Sequence, residues 1–153
     1  MRCAVAVLVT IVVLAGCGKS GGGRLSKSEF EQKADAICAG YERKVAAVFA
    51  GVKAGNTAQL TAAIDKSLPL IKKGNDELSR LKPPKGLDRT YARWLRKSRT
   101  EESSARDLRD AIKGKDLAAV RRILGRLTAF ERDQNRVART ELGLKTCARG
   151  ASP

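Results

Sequence analysis

The chain contains no histidine. That removes the commonest general base and the commonest metal ligand together. Aromatic residues are scarce, at one Trp, two Tyr and three Phe among 153 residues. Aromatic platforms interleaved with basic runs, as single-stranded nucleic-acid binding uses, are therefore not expected. There is no P-loop, no GxGxxG and no metal-ligand spacing. No Ser or Cys has a visible base, and no spacing marks a Ser-Lys pair, so the chain is not expected to be an enzyme. Strand-like alternation of apolar and polar residues is absent. No apolar run reaches the roughly 20 residues of a membrane-spanning helix. Acid is also in short supply, with 16 Asp+Glu against 31 Lys+Arg and a formal charge of +15. The length suits one domain. Hydrophobic content of 42% supports a small core, which excludes disorder along the whole chain.

What is present starts with a basic Met1-Arg2 and the apolar run Cys3 to Leu14. That run has the length of the h-region of an export signal. It ends in Leu14-Ala15-Gly16-Cys17, which resembles the lipobox of bacterial lipoproteins. The resemblance implies a diacylglyceryl group on the Cys17 thiol and cleavage before Cys17. It also implies an acyl chain, such as palmitate, on the new amino terminus. An ordinary secretory signal and an uncleaved anchor are the alternatives. Residues 1–16 are read as the signal peptide and 17–24 as the lipidated Cys with a flexible Gly-rich tether. Residues 25–147 are read as the helical domain and 148–153 as a frayed tail. The expected location is the extracytoplasmic face of the cell membrane, held by lipid. No cofactor is expected beyond that covalent lipid, and no metal.

Once Cys3 leaves with the signal and Cys17 carries lipid, Cys38 and Cys147 remain. An even pair in an exported chain points to a disulfide. The alternative is two buried thiols.

Four amphipathic segments follow. Ser26 and Glu29 stand at capping-box spacing, with Leu25 and Phe30 placed for a hydrophobic staple. Phe30, Ala34, Ile37, Tyr41, Val45, Val48 and Val52 then recur at helical intervals, up to Gly55. Asn56 is the next expected cap, with Gln59 at N3. The second helix uses Leu60, Ile64, Ile71, Leu78 and Leu81, with a kink or break expected near Pro69. Pro83-Pro84 stops it. The third helix, from about Asp88 to Lys113, turns Leu87, Tyr91, Trp94, Leu95, Ser98, Ala105, Leu108 and Ile112 inward. Gly114 is its expected C′ residue and Asp116 the following cap. The fourth uses Leu117, Val120, Leu124, Leu127, Phe130 and Val137, and stops at Leu142-Gly143-Leu144.

Short connections between helices make antiparallel neighbours, so the expected fold is all-α, an up-down-up-down four-helix bundle stapled by Cys38–Cys147. The staple is consistent with that topology. Cys38 lies about 18 Å up the first helix from Ser26. The residues after Gly143 reach about 13 Å and fold back along it.

The domain also resembles a group of uncharacterised exported helical lipoproteins from high-GC Gram-positive bacteria. The resemblance rests on Leu25 to Phe30 with Ala34 to Cys38, on Leu81 to Pro84, and on Leu142 to Leu144 with Cys147. It implies architecture and transfers no catalytic residue.

The basic excess is the main functional signal. Arg89, Arg93 and Arg96 recur on the third helix, and Arg122, Arg126, Arg132, Arg136 and Arg139 on the fourth. Most lack an acid at i±4 (Glu102–Arg106 is the exception). Such stripes create positive potential toward anionic lipid, wall polymer or extracellular DNA. A merely solvated face is the bland reading. Specific nucleic-acid recognition is not expected. Glu29, Glu31 and Asp35 suit the dipole of the first helix. The leading expectation is a lipid-anchored, non-catalytic binding, scaffold or accessory module of the envelope, with no protein partner identified. The alternative is a small-ligand carrier or sensor with an interhelical pocket at Tyr91 and Trp94.

Overall fold

The computed structural model describes residues 23–148. The signal segment, Cys17 and most of the tether lie outside them, as do residues 149–153. Four helices appear in chain order: α1 (Lys27–Phe49), α2 (Thr57–Ser79), α3 (Asp88–Lys113) and α4 (Leu117–Thr140). Among the described residues there is no strand. No helix there is long and apolar enough to cross a membrane.

The helix starts follow side-chain chemistry. Ser26 caps α1 in a complete capping box with Glu29. Asn56 Oδ1 accepts from Gln59 N–H at 2.9 Å, and Asp116 Oδ1 from Ala119 N–H at 2.8 Å. Gln59 does not complete a box; its side-chain oxygen accepts from Lys53 N–H. Two ends differ from expectation. Helix α1 stops at Phe49, one turn before Val52, because Gly51 weakens the helix there. After α3 the left-handed residue is Lys115, at φ 55°, while Gly114 stays right-handed.

Helix α2 is not broken at Pro69; it runs as one element through it. Pro69 is exposed, and so is Asp65, whose carbonyl loses its helical donor. That carbonyl therefore sits at the solvent surface, where the loss is cheap.

The helices form an antiparallel up-down-up-down bundle in which each packs on its sequence neighbour. Tyr41 of α1 lies against Gly74 of α2, where an added Cβ would sit 3.1 Å from the ring. Tyr91 of α3 donates its hydroxyl to Leu78 O of α2 at 2.6 Å. Lys97 of α3 pairs with Asp133 of α4 at 2.6 Å. Helices α1 and α4, however, do not meet: no Cα of one lies within 8 Å of a Cα of the other.

The chain after α4 fills that gap at one end. Gly143, at φ 74°, reverses the chain, and a Cβ there would strike the Glu31 carboxylate. Leu142 and Leu144 are then fully buried, and the chain stays packed through Ala148. The Asp35 carboxylate accepts N–H bonds from Lys145, Thr146 and Cys147 at 3.0, 2.8 and 3.1 Å. Cys38 and Cys147 are joined, with Cα atoms 5.2 Å apart.

The main core lies at this same end. Phe30 meets Tyr91 edge-on at 4.9 Å, and Tyr91 stacks on Trp94 at 5.9 Å. Half of the scarce aromatic residues are thus spent in one cluster with Leu78, Leu95, Val137, Leu142 and Leu144. At the far end the seam stays open. Leu117 and Leu124, expected inward, are exposed, and Ile123 takes the buried position instead.

Replacing Cys38 and Cys147 together by Ser is expected to cost about 2–5 kcal/mol in urea unfolding. Lys115→Gly is expected to raise stability by up to about 1 kcal/mol, because glycine removes the left-handed penalty. An unchanged or lower melting temperature would contradict the assignment of strain to Lys115.

Candidate functional site

Two regions hold the candidate residues. The first is the outer surface of α3 and α4. Arg89, Arg93 and Arg96 share the solvent side of α3, opposite Tyr91, Trp94 and Leu95. Arg122, Arg126, Arg132, Arg136 and Arg139 are exposed along α4. They are not equivalent. Arg93 pairs with Glu141 at 2.9 Å, and Arg136 with Asp133 at 2.7 Å and Glu141 at 3.7 Å. With Lys97 on Asp133, these form one ionic strip that ties the start of α3 to the end of α4. Lys97 and then Arg136 hold the Asp133 carboxyl below its ordinary value. Arg139 donates to Ala148 O at 3.3 Å. Among the described residues, Arg89, Arg96, Arg122, Arg126 and Arg132 have no carboxylate within 4.0 Å. The sequence reading counted acids along one helix and so missed the cross-helix pairs.

The chain joins this surface at its base. Arg24 pairs with Asp88 at 2.5 Å and donates to Pro83 O at 3.2 Å. Its guanidinium lowers the Asp88 carboxyl pKa. Leu25 N–H donates to Lys82 O at 3.0 Å. The point where the tether leaves the fold is therefore fixed one residue from Arg89.

The second region is a pair of adjoining cavities, one between α1 and α4 and one between α1 and α2. One cavity of about 160 Å³ lies above the disulfide, lined by Trp94, Ser98 and Glu101 of α3, by Phe130, Glu131, Gln134 and Asn135 of α4, and by Cys38, Asn75, Leu78 and Cys147. A neighbouring cavity of about 200 Å³ is lined mainly by Ile37, Tyr41, Val45, Ile71 and Leu78, with Glu42 at its side. Cys38, Asn75, Leu78 and Glu101 border both. Of the two residues expected to line a pocket, Trp94 does so. Tyr91 does not; it is buried in the core with its hydroxyl committed to Leu78 O, and burial raises its pKa.

The polar wall is incompletely paired. Ser98 Oγ stands 3.1 Å from Trp94 O and 3.4 Å from Gln134 Oε1, one proton between two acceptors. Trp94 Nε1 and Gln134 Nε2 are buried with no partner. Whichever way the Gln134 amide is turned, one of its ends is unpaired. Glu101 is half-buried and Glu131 stands exposed at the mouth. Burial first, and repulsion from Glu131 second, raise the Glu101 pKa above 4.5. Sequence reading missed Glu101, Glu131 and Gln134. Glu101 was legible: it continues the helical stripe of Trp94 and Ser98. Asp35 was likewise assigned to the helix dipole, whereas it holds the tail.

Chemically, this wall offers two unpaired N–H donors, one hydroxyl and two carboxylates, but no nucleophile with a base. Among the described residues no group of three or more Cys, Asp or Glu is placed to hold a metal ion.

The raised Glu101 pKa fixes the sign of a pH effect. Below its ordinary value Glu101 is neutral in both folded and unfolded chains. As pH rises through the higher folded value, the folded chain must ionise a desolvated carboxyl, and stability falls. Glu101→Gln is expected to melt higher than the parent at neutral pH, with the gap closing toward about pH 4. A gap that stays constant with pH would contradict this origin.

No family model, curated protein or solved structure matches this chain, so its function is read from its own residues.

Proposed function

We propose that this chain is a lipid-anchored, non-catalytic module of the cell envelope, acylated at Cys17 and facing the extracytoplasmic side. The unpaired arginines at the tethered end bind the anionic surface of the membrane that carries it. The observation that carries this reading is the Arg24–Asp88 pair, which holds the start of the fold beside Arg89. From Cys17 to Arg24 the chain reaches about 23 Å at most. A body on so short a tether keeps this end near the headgroups. There Arg89, Arg96 and Arg132 have no protein carboxylate to satisfy them, and anionic lipid supplies the missing partner. Acyl chains provide the strength of anchoring, and the arginines set orientation. Wall polymer offers similar charge but does not use the tether geometry, so the bilayer is the preferred partner.

The test uses vesicles and the chain from Gly18 onward, whose residues 23–148 contain the core, the caps and the disulfide. Binding to phosphatidylglycerol vesicles is expected to exceed binding to phosphatidylcholine vesicles and to weaken as salt screens the contacts. Replacing Arg89, Arg96 and Arg132 together by Ser should weaken it at least about tenfold, since each basic residue at the surface contributes about 1 kcal/mol. Replacing Arg43, Lys66 and Lys73 by Ser removes the same charge from the other side. Equal losses from both triple variants would reduce the effect to bulk charge and sink the proposal.

A further inference from the structure

We infer that the two adjoining cavities that share Glu101 form one binding site for an organic cation with an apolar portion, its ammonium end between Glu101 and Glu131. This inference is independent of the basic surface.

The first argument is the absence of cations where they are most plentiful. Bases outnumber acids 31 to 16 in this chain. Yet among the described residues Glu101, Asp107 and Glu131 are the acids with no hydrogen-bond or ion-pair partner. Asp107 is exposed on the surface. Glu101 and Glu131 line one cavity and repel each other across it. A half-buried carboxylate beside a second one costs stability unless a positive charge sits with them.

The second argument comes from the same wall. Trp94 is 5% exposed and Gln134 7% exposed, and each carries a buried N–H donor with no acceptor. Buried donors are nearly always paired in a folded protein, so an unpaired one calls for a reason. An oxygen on the bound molecule, as hydroxyl or carbonyl, would supply the acceptor. The Trp94 ring also suits an ammonium group, which is attracted to an indole face.

The third argument is the neighbouring cavity. Its Ile37, Val45, Ile71 and Leu78 wall has room for a short hydrocarbon portion. Either cavity alone is small. Together they reach the lower end of small-molecule sites, about 300 Å³. A metal ion fits less well, because no three-ligand group is present among the described residues.

The sign of the ligand makes the inference testable. The overall charge of +15 favours an anion everywhere on the molecule, whereas this seam favours a cation. Three probes of the same six-carbon chain length separate the two: hexyltrimethylammonium, hexanol and hexanoate. Trp94 is the single tryptophan, so its emission reports on this wall alone. The chain from Gly18 onward is titrated by fluorescence and, independently, by calorimetry. Hexyltrimethylammonium is expected to saturate with a Kd at least tenfold below that of hexanol, and hexanoate to bind worst. Glu101→Gln, which removes an unfavourable burial and so should fold, is expected to bring hexyltrimethylammonium to the level of hexanol. Glu131→Gln should do so in part, because it stands in solvent. No saturable binding of any probe by either method overturns the inference. So does hexanoate binding as tightly as the ammonium probe, or undiminished ammonium binding by a helical Glu101→Gln.

Discussion

The backbones of α1 and α4 stay more than 8 Å apart, and the short segment after α4 helps to fill the space between them. Asp35 is the hinge of that arrangement. Its carboxylate gathers three consecutive N–H groups of the returning chain, which would otherwise be orphaned donors at a partly buried turn. With the turn held, Cys147 lies over Cys38 and the bond closes. Leu142 and Leu144 are then driven into the space beside Phe30 and Ala34. The core at this end is thus assembled from five chain segments, the fifth not being a helix at all.

The other end lacks such a wedge, and its character follows. With few aromatic residues available, packing is concentrated where the tail completes it. Toward the α1–α2 and α3–α4 turns Leu117 and Leu124 stand in solvent, and one cavity lies along the line of separation between α1 and α4. The polar wall of the inner cavity and the open seam therefore have one origin. A bundle whose first and last helices packed together would have covered Glu101 and Gln134 with apolar side chains.

Much of this fold was legible in the residues, because helix caps and stops are local chemistry. The Ser26–Glu29 box, the Asn56 cap and the Asp116 cap follow from side chains within one turn of the feature they control. The disulfide followed from chain topology and cysteine count. What was not legible depends on partners distant in sequence. Periodicity placed Leu124 inward and could not tell that no helix would cover it. The i±4 rule found no acids for Arg93 and Arg136, whose partners lie across a helix interface or past a helix end. Gly114 looked like the left-handed stop, yet the turn to Asp116 puts that conformation on Lys115. Of the pocket, Trp94 was anticipated and Tyr91 was not separated from it. Glu101 continues the stripe of Trp94 and Ser98, but its neighbour Glu131 belongs to another helix and only the packing of α3 on α4 brings the two together.

The disulfide has a consequence for survival under proteolysis. Its cysteines sit in α1 and beyond α4, 109 residues apart, so every interhelix loop lies within the closed ring. A protease that cuts after Phe49, between α2 and α3, or at Lys113 to Asp116 opens the ring without releasing a fragment. The severed molecule keeps all its helices covalently attached. It also keeps its N-terminal segment, and with it any lipid, on the same piece as Cys38. Damage to an exposed loop therefore leaves the body in one covalent piece, where its packing can hold the cut ends in register.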